Sequence, residues 1–298
     1  MLTKLSELIE VAKTKTKRRV VVAAAADEPV LLALKAAIEL DIIVPVLVGN
    51  IAEIEKIAAH IKLNLHGIQL IEESNPNKAA IKAVEQIRLG NADILMKGLV
   101  SSGPFLKAIL DKENGLRHSD TLSHFALFES PFYHKLIGLS DAALNVEPEF
   151  GEKVAILNNG VEAFHKLGLA LPKVAVIGAV ETVNIKMQPS TDAALLTMMN
   201  RRNQISGCIV DGPLALDNAV SLEAAHHKGI DSPVAGDVDL ILTSDIYSAN
   251  ILYKSLNFLG GATSAALIMG AKVPVVLTSR SDTDRSKLMS IALAAAME

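Results

Sequence analysis

The chain of 298 residues predicts an α/β protein with mostly parallel sheets, divided over two domains. Three observations carry that expectation. Short apolar runs alternate with helix-length amphipathic segments, and parallel strands need such crossovers. Half of the residues are hydrophobic but only 3% are aromatic and none is Trp. Small aliphatics must therefore fill the interior, as they do in sheets covered by helices on both faces. The length also suffices for two domains of ordinary size, or one large one.

Taken in order, the opening segment from Met1 to Glu7 reads as a helix with mixed charge and not as a signal peptide. Val20–Ala24 is a buried strand, and Asp27-Glu28-Pro29 opens a helix, with an acid ahead of a first-turn Pro. Ile43–Val48 is the next strand, closed by Gly49-Asn50, and a helix follows from about Ala52 to His60. A third strand, Ile68–Ile71, precedes a helix opened by Asn75-Pro76, with Ala80, Val84 and Ile87 on one face and Gly90 at its end. Asp93–Met96 is a fourth strand; beyond it Ser101-Ser102-Gly103-Pro104 leads into a helix carrying Leu106, Ile109 and Leu110.

The pattern then changes. Ser123–Phe128 and Lys135–Leu139 read as a hairpin joined by a turn at Ser130-Pro131. A second α/β segment starts near Asp141, with a helix from about Val154 to Leu167, the strand Lys173–Ile177, a loop from Gly178 to Ser190 and a helix at Thr191-Asp192. The strand Gly207–Asp211, a helix from Ser221 to Lys228, the strand Asp239–Thr243 and a helix from roughly Ser248 follow. Val273–Val276 and an apolar-periodic helix finish the chain. That final strand and helix could complete either half.

Bulk properties exclude several classes. The 29 basic and 33 acidic residues give −4, and the basic cluster Lys13–Arg19 suits a solvated helix end, so no nucleic-acid partner is expected. No uncharged apolar stretch reaches membrane-spanning length. Cys208 is the single cysteine, which rules out an intrachain disulfide and suits a buried inert thiol. The expectation is a soluble cytoplasmic protein.

Familiar motifs are missing: no G-x-G-x-x-G after a strand, no Walker A, no G-x-S-x-G. His118, His124 and His134 have no metal-ligand spacing, and His226-His227 lie on adjacent helix faces, so no metal is expected. What remains is small hydroxyls, glycines and single cations at strand ends. These are Lys97-Gly98 with Ser101, Ser102 and Gly103; Asp211-Gly212-Pro213; Asp245 with Asn250 and Lys254; and Thr278 to Asp284, including Ser279, Arg280, Asp282 and Thr283. Each alone also suits a capped helix, a tight turn or a surface charge. Four at equivalent strand ends favour an anion-binding cleft, because ligands collect outside strand carboxyl ends where helix N-termini offer free N–H groups.

The segment Ile205 to Ala219, with Gly207-Cys-Ile-Val-Asp-Gly-Pro-Leu-Ala-Leu-Asp-Asn-Ala219, resembles the phosphate acetyl/butyryltransferase family, nearest its butyryl branch. Lys97–Ser101, Leu122-Ser123-His124, Pro172–Val176, Asn250–Leu256 and Thr278–Asp282 extend the resemblance in order over nearly the whole chain. It implies a two-domain fold like that of the isocitrate and isopropylmalate dehydrogenases, with an interdomain cleft to which the final strand and helix return, so that the domains are residues 1–140 with 272–298 and residues 141–271. It also implies reversible acyl transfer, acyl-CoA plus phosphate giving acyl phosphate plus CoA, with no bound cofactor and a homo-oligomeric state.

By the same resemblance Ser279 and Arg280 are the catalytic pair. Lys97, Ser101, Ser102 and Lys107 line the phosphate side. His124, Asp211, Gly212, Asp245, Asn250, Lys254, Asp282, Thr283 and Asp284 are further cleft candidates. Two departures stand out. The family's aspartate seven positions after the catalytic serine is Ser286 here, although Asp282 and Asp284 are near. The Pro-Asp-Ile-x-x-Gly-Asn pattern reads Ser244-Asp-Ile-Tyr-Ser-Ala-Asn250, so Ala249 could narrow the site and Tyr247 could alter acyl preference. These departures keep open a non-catalytic or re-specialised CoA- or acyl-phosphate-binding relative. A third reading, an NAD-linked dehydrogenase of the same fold, lacks the carboxylate or histidine cluster for a metal.

Overall fold

The computed structural model describes residues 2–278 and 282–297. In chain order the elements are α1 (Glu7–Lys13), β1 (Arg18–Ala23), α2 (Glu28–Glu39), β2 (Ile43–Gly49), α3 (Ile51–Ile61), β3 (Gln69–Glu72), α4 (Pro76–Arg88), β4 (Ile94–Lys97) and α5 (Ser102–Ile109). They continue with β5 (Ser123–Glu129), β6 (Ile137–Ser140), α6 (Phe150–Lys166), β7 (Lys173–Ile177), α7 (Gln188–Arg201), β8 (Ile209–Leu214), α8 (Leu216–Val220) and α9 (Leu222–His227). The last are β9 (Leu240–Leu242), α10 (Ile246–Phe258), β10 (Thr263–Met269), β11 (Val275–Val276) and α11 (Asp284–Ala296).

The chain divides into two compact units, residues 1–4 with 120–264 and residues 5–119 with 265–298. These changes fall at 120 and 265, where the expected domains change at 141 and 272. The hairpin explains the first difference. β6 pairs in parallel with β9, Gly138 opposite Leu240 and Ser140 opposite Leu242, which ties the hairpin to the later strands.

In the unit of residues 5–119 and 265–298 the strand order is β3-β2-β1-β4-β11-β10, parallel except for β10 against β11. Val20, Val21, Leu47, Leu95 and Val275 are fully buried, as strands covered on both faces must be. α2 packs on α3 and α11, while α4 packs on α5. The helices start where local chemistry dictates: the Asn50 side chain accepts from Glu53 N, and the Asn75 side chain accepts from the N–H groups of Asn77 and Lys78. β10 was not foreseen. Its residues Thr-Ser-Ala-Ala-Leu-Ile-Met follow a helix without alternation, because nearly all are buried, and a buried strand then has no period to read.

In the unit of residues 1–4 and 120–264 the order is β5-β6-β9-β7-β8, with β5 and β6 antiparallel and the rest parallel. Phe125 and Phe164 meet edge to face at 5.5 Å in its core. Gly160 lets α6 approach β9 closely, since a Cβ there would lie 2.6 Å from Leu240 Cδ2. β8 begins at Ile209, later than the expected Gly207. Gly207 has φ +72° and belongs to a turn, and the Asn200 side-chain amide donates to the carbonyls of Ile205 and Cys208 while its oxygen accepts from Val210 N. Asp211-Gly212-Pro213 therefore lies inside β8, not after a strand. α7 starts three residues early, at Gln188, with Pro189 in its first turn.

Candidate functional site

In the unit of residues 5–119 and 265–298 the crossovers run from β1 through β2 to β3, then return to β4 on the other side of β1. Such a reversal leaves a crevice at the carboxyl ends of the two strands flanking it. A cavity of about 250 Å³ lies there. It is lined by Asp27, Pro29 and Val30 after β1, Lys97 to Val100 after β4, Thr278 after β11, and Lys287 from α11. β11 reaches the crevice because it pairs in parallel with β4, Val276 opposite Met96.

Gly98 is fixed by a close approach: a Cβ would stand 2.3 Å from Ala24 O and 2.8 Å from Ala23 O. Its N–H donates to Ala23 O and that of Leu99 to Ala24 O, which ties the loop after β4 to the end of β1. The Lys97 ammonium donates to the carbonyls of Gly98 and Val100, both at 3.2 Å. Thr278 is buried at the end of β11. Ser279 and Arg280, the expected catalytic pair, lie outside the described residues, between Thr278 on the cavity wall and Asp282 before α11.

At the start of α11 the Thr283 hydroxyl accepts from Ser286 N at 3.1 Å and lies 3.2 Å from Ser286 Oγ. Thr283 is thus the N-cap, and Ser286, at the family's aspartate position, completes that cap. Asp284 is exposed in the first turn, where its charge complements the helix dipole. Lys287 was missed from the sequence. It is only 5% exposed, donates to the backbone carbonyl of Asp282, and has no carboxylate within ion-pair distance among the described residues. The available signal was one lysine ahead of Leu-Met-Ser-Ile-Ala-Leu-Ala-Ala-Ala; it reads as the wet face of an amphipathic helix, but α11 is buried almost throughout.

The other candidates are spread out. Ser101 and Ser102 are exposed at the start of α5. Lys107, farther along α5, lines a different groove of about 820 Å³ with Asn77, Ile81, Glu85 and Arg88 of α4. In the second unit His124 is buried in β5, its ring edge to face with Tyr253 at 5.7 Å. Asp245 caps α10 by accepting from Ser248 N at 2.8 Å. Burial alone would raise its pKa, but hydrogen bonds from Ser244 and Ser248 outweigh that and lower it. Asn250 donates to Ala142 O, and Lys254 is exposed on the same helix. Burial pushes the Cys208 thiol up to about 11, which leaves it inert at neutral pH. The buried lysines of this unit do have carboxylates: Lys153 with Asp192 at 2.6 Å, and Lys135 with Asp239 at 2.7 Å and Asp237 at 2.8 Å. Among the described residues no helix is long and apolar enough to cross a membrane.

The family model described as phosphate acetyl/butaryl transferase matches residues 4–80 and 72–295. The chain is 46% identical to a phosphate butyryltransferase of Clostridium acetobutylicum over 99% of its own length and 98% of the relative's. It is 44% identical to a phosphate acetyltransferase of Thermotoga maritima, covering 98% of each. Among solved structures, a branched-chain phosphotransacylase from Enterococcus faecalis V583 superposes with a TM-score of 0.83 at 33% identity, covering 94% of this chain and 98% of that one.

Proposed function

The chain belongs to the phosphate acetyl/butyryl transferase family and is a phosphate acyltransferase, and from that premise we propose that it moves butyryl or branched short acyl groups reversibly between coenzyme A and phosphate. The observation that carries this reading is the small cavity at the β1, β4 and β11 strand ends, lined by Lys97, Lys287, Asp27 and Thr278. Its volume suits phosphate or a short acyl phosphate, not the whole of CoA. The acyl preference rests on the butyryl and branched-chain relatives, and the acetyl-type relative of similar identity makes it the first property to measure.

In the forward direction a phosphate oxygen attacks the thioester carbonyl, the carbonyl oxygen gains charge, and the C–S bond breaks to release CoA thiolate, which takes up a proton. In reverse the thiolate attacks the acyl phosphate and phosphate leaves. Arg280 supplies a planar, permanently charged fork for phosphate and the developing oxyanion, and Ser279 hydrogen-bonds the sulfur or that oxyanion. Lys97 holds phosphate, with Ser101 and Ser102 at the rim. No covalent enzyme intermediate is needed, so holding both substrates together supplies much of the rate. We place the reaction in the cytoplasm.

Thiol release from short acyl-CoAs, followed with a thiol reagent, tests the reading. Release should require phosphate and peak at butyryl or branched chains. Arg280→Ala should cut turnover about a hundredfold or more. Phosphate-independent release, or none from any short acyl-CoA, sinks the assignment.

The enzyme works as a homo-oligomer. The exposed aromatics Phe132 (85%), Tyr247 (57%) and Phe258 (69%) all belong to the second unit, as do the exposed Ile251 and Leu259. Tyr247, Ile251 and Phe258 recur at helical spacing along α10, and Pro131 lies against Gly261, which brings the hairpin turn to the end of that helix. Light scattering should give a multimer that Phe258→Glu dissociates; a monomeric wild type excludes it.

A further inference from the structure

Lys287 is an expensive residue where it stands. It lies in the first turns of α11, where the helix dipole opposes a cation. It is 95% buried, and its ammonium has a backbone carbonyl, that of Asp282, in place of a carboxylate. A buried charge left so costs free energy unless a counter-charge arrives. The same cavity is lined by Lys97 and by one carboxylate, Asp27, so two cations and one anion face about 250 Å³ of space. That lining carries a net positive charge, which an incoming anion offsets. The cap formed by Thr283 and Ser286 fixes the helix start, and so the backbone position from which Lys287 reaches the cavity.

We propose that Lys287 binds the phosphate group, inorganic phosphate in one direction and the phosphoryl end of the acyl phosphate in the other, from the side opposite the loop after β4. The assignment rests on the acyltransfer reading above. It gives α11 a second task besides carrying the residues that precede it: its lysine selects a compact dianion. Lys287 then acts on phosphate binding and leaves the thioester substrate alone.

The experiment measures phosphate-dependent thiol release from butyryl-CoA by wild type, Lys287→Gln and Lys287→Arg. Glutamine keeps a donor for the Asp282 carbonyl while removing the charge; arginine restores the charge. Lys287→Gln should raise KM for phosphate about tenfold to a hundredfold, the loss expected for a charge-assisted contact, with KM for butyryl-CoA within twofold of wild type. Lys287→Arg should recover part of that loss. As a readout besides turnover, inorganic phosphate should raise the melting temperature of wild type and Lys287→Arg, but of Lys287→Gln much less. An unchanged KM for phosphate in Lys287→Gln overturns the proposal, as does an equal rise in both KM values or an undiminished phosphate-induced stabilisation. If Lys287→Gln does not fold, the titration of Lys287→Arg decides: phosphate stabilisation and KM identical to wild type despite the changed head group overturn it. Failure of the wild type to turn over any short acyl-CoA counts instead against the acyltransfer reading.

Discussion

The two units treat buried lysines in opposite ways. In the unit of residues 120–264, Lys153 is matched to Asp192, and Lys135 to Asp237 and Asp239. Gln188 also donates to Asp192 at 2.8 Å, so the carboxylate is held on both oxygens. In the other unit, Lys287 is similarly buried and donates to a carbonyl, with no carboxylate at ion-pair distance among the described residues. Matched pairs join elements, here α6 to α7 and the hairpin to β9, and they are complete as they stand. An unmatched buried ammonium is incomplete until something else supplies the negative charge. Burial of a lysine therefore says little about function; what it is paired with says much.

That contrast can be broken by experiment. The largest expected effect is on stability at the matched site. Asp192→Ala strands Lys153 and should cost about 3–5 kcal/mol, read as a lower urea midpoint at unchanged slope. A cost below about 1 kcal/mol would put Lys153 and Lys287 in the same class. At the unmatched site the sign should differ: without phosphate, Lys287→Gln should hold or gain stability, by up to about 2 kcal/mol, while losing phosphate affinity. A large loss in phosphate-free buffer would make Lys287 a structural residue. The smallest effect concerns acid. Burial raises the pKa of Asp237, but hydrogen bonds from Lys135, Lys173 and His134 prevail and hold it well below the usual carboxylate range. Its folded form binds protons more weakly than its unfolded form, so its contribution is complete above the unfolded carboxylate pKa, near 4, and is lost as pH falls from there. The urea midpoint should drop below about pH 4, and Asp237→Asn should flatten that drop; a parallel profile in the variant would remove Asp237 from the matched set.

Much of the fold was legible because its signals were local. Asn50 and Asn75 cap the helices their positions announce, and the β1 to β4 alternation needs nothing beyond period and crossover. β10 was illegible because a strand buried along its length has no wet face to mark its period. β8 was misplaced because Asn200, seven residues before Gly207, holds the turn that delays it. The strand-end cluster at Lys97 and Thr278 was readable from chain position, whereas Lys107 on α5 shares a groove with α4, since a helix turns successive residues to different faces. Lys287 needed the structure: its sequence neighbourhood does not reveal that the helix around it is buried. Ser286 shows the converse, a residue whose oddness against the family pattern has a local explanation in the cap with Thr283.

The placement of the aromatics has a practical side. With no Trp and three Tyr, the chain's near-ultraviolet emission comes from tyrosine alone. Tyr133 donates to Val238 O, Tyr253 lies near Ser264, and Tyr247 stands exposed among apolar neighbours on α10. Quantum yield and anisotropy on dilution thus become a label-free test of the proposed homo-oligomer, with Tyr247→Phe as the built-in blank.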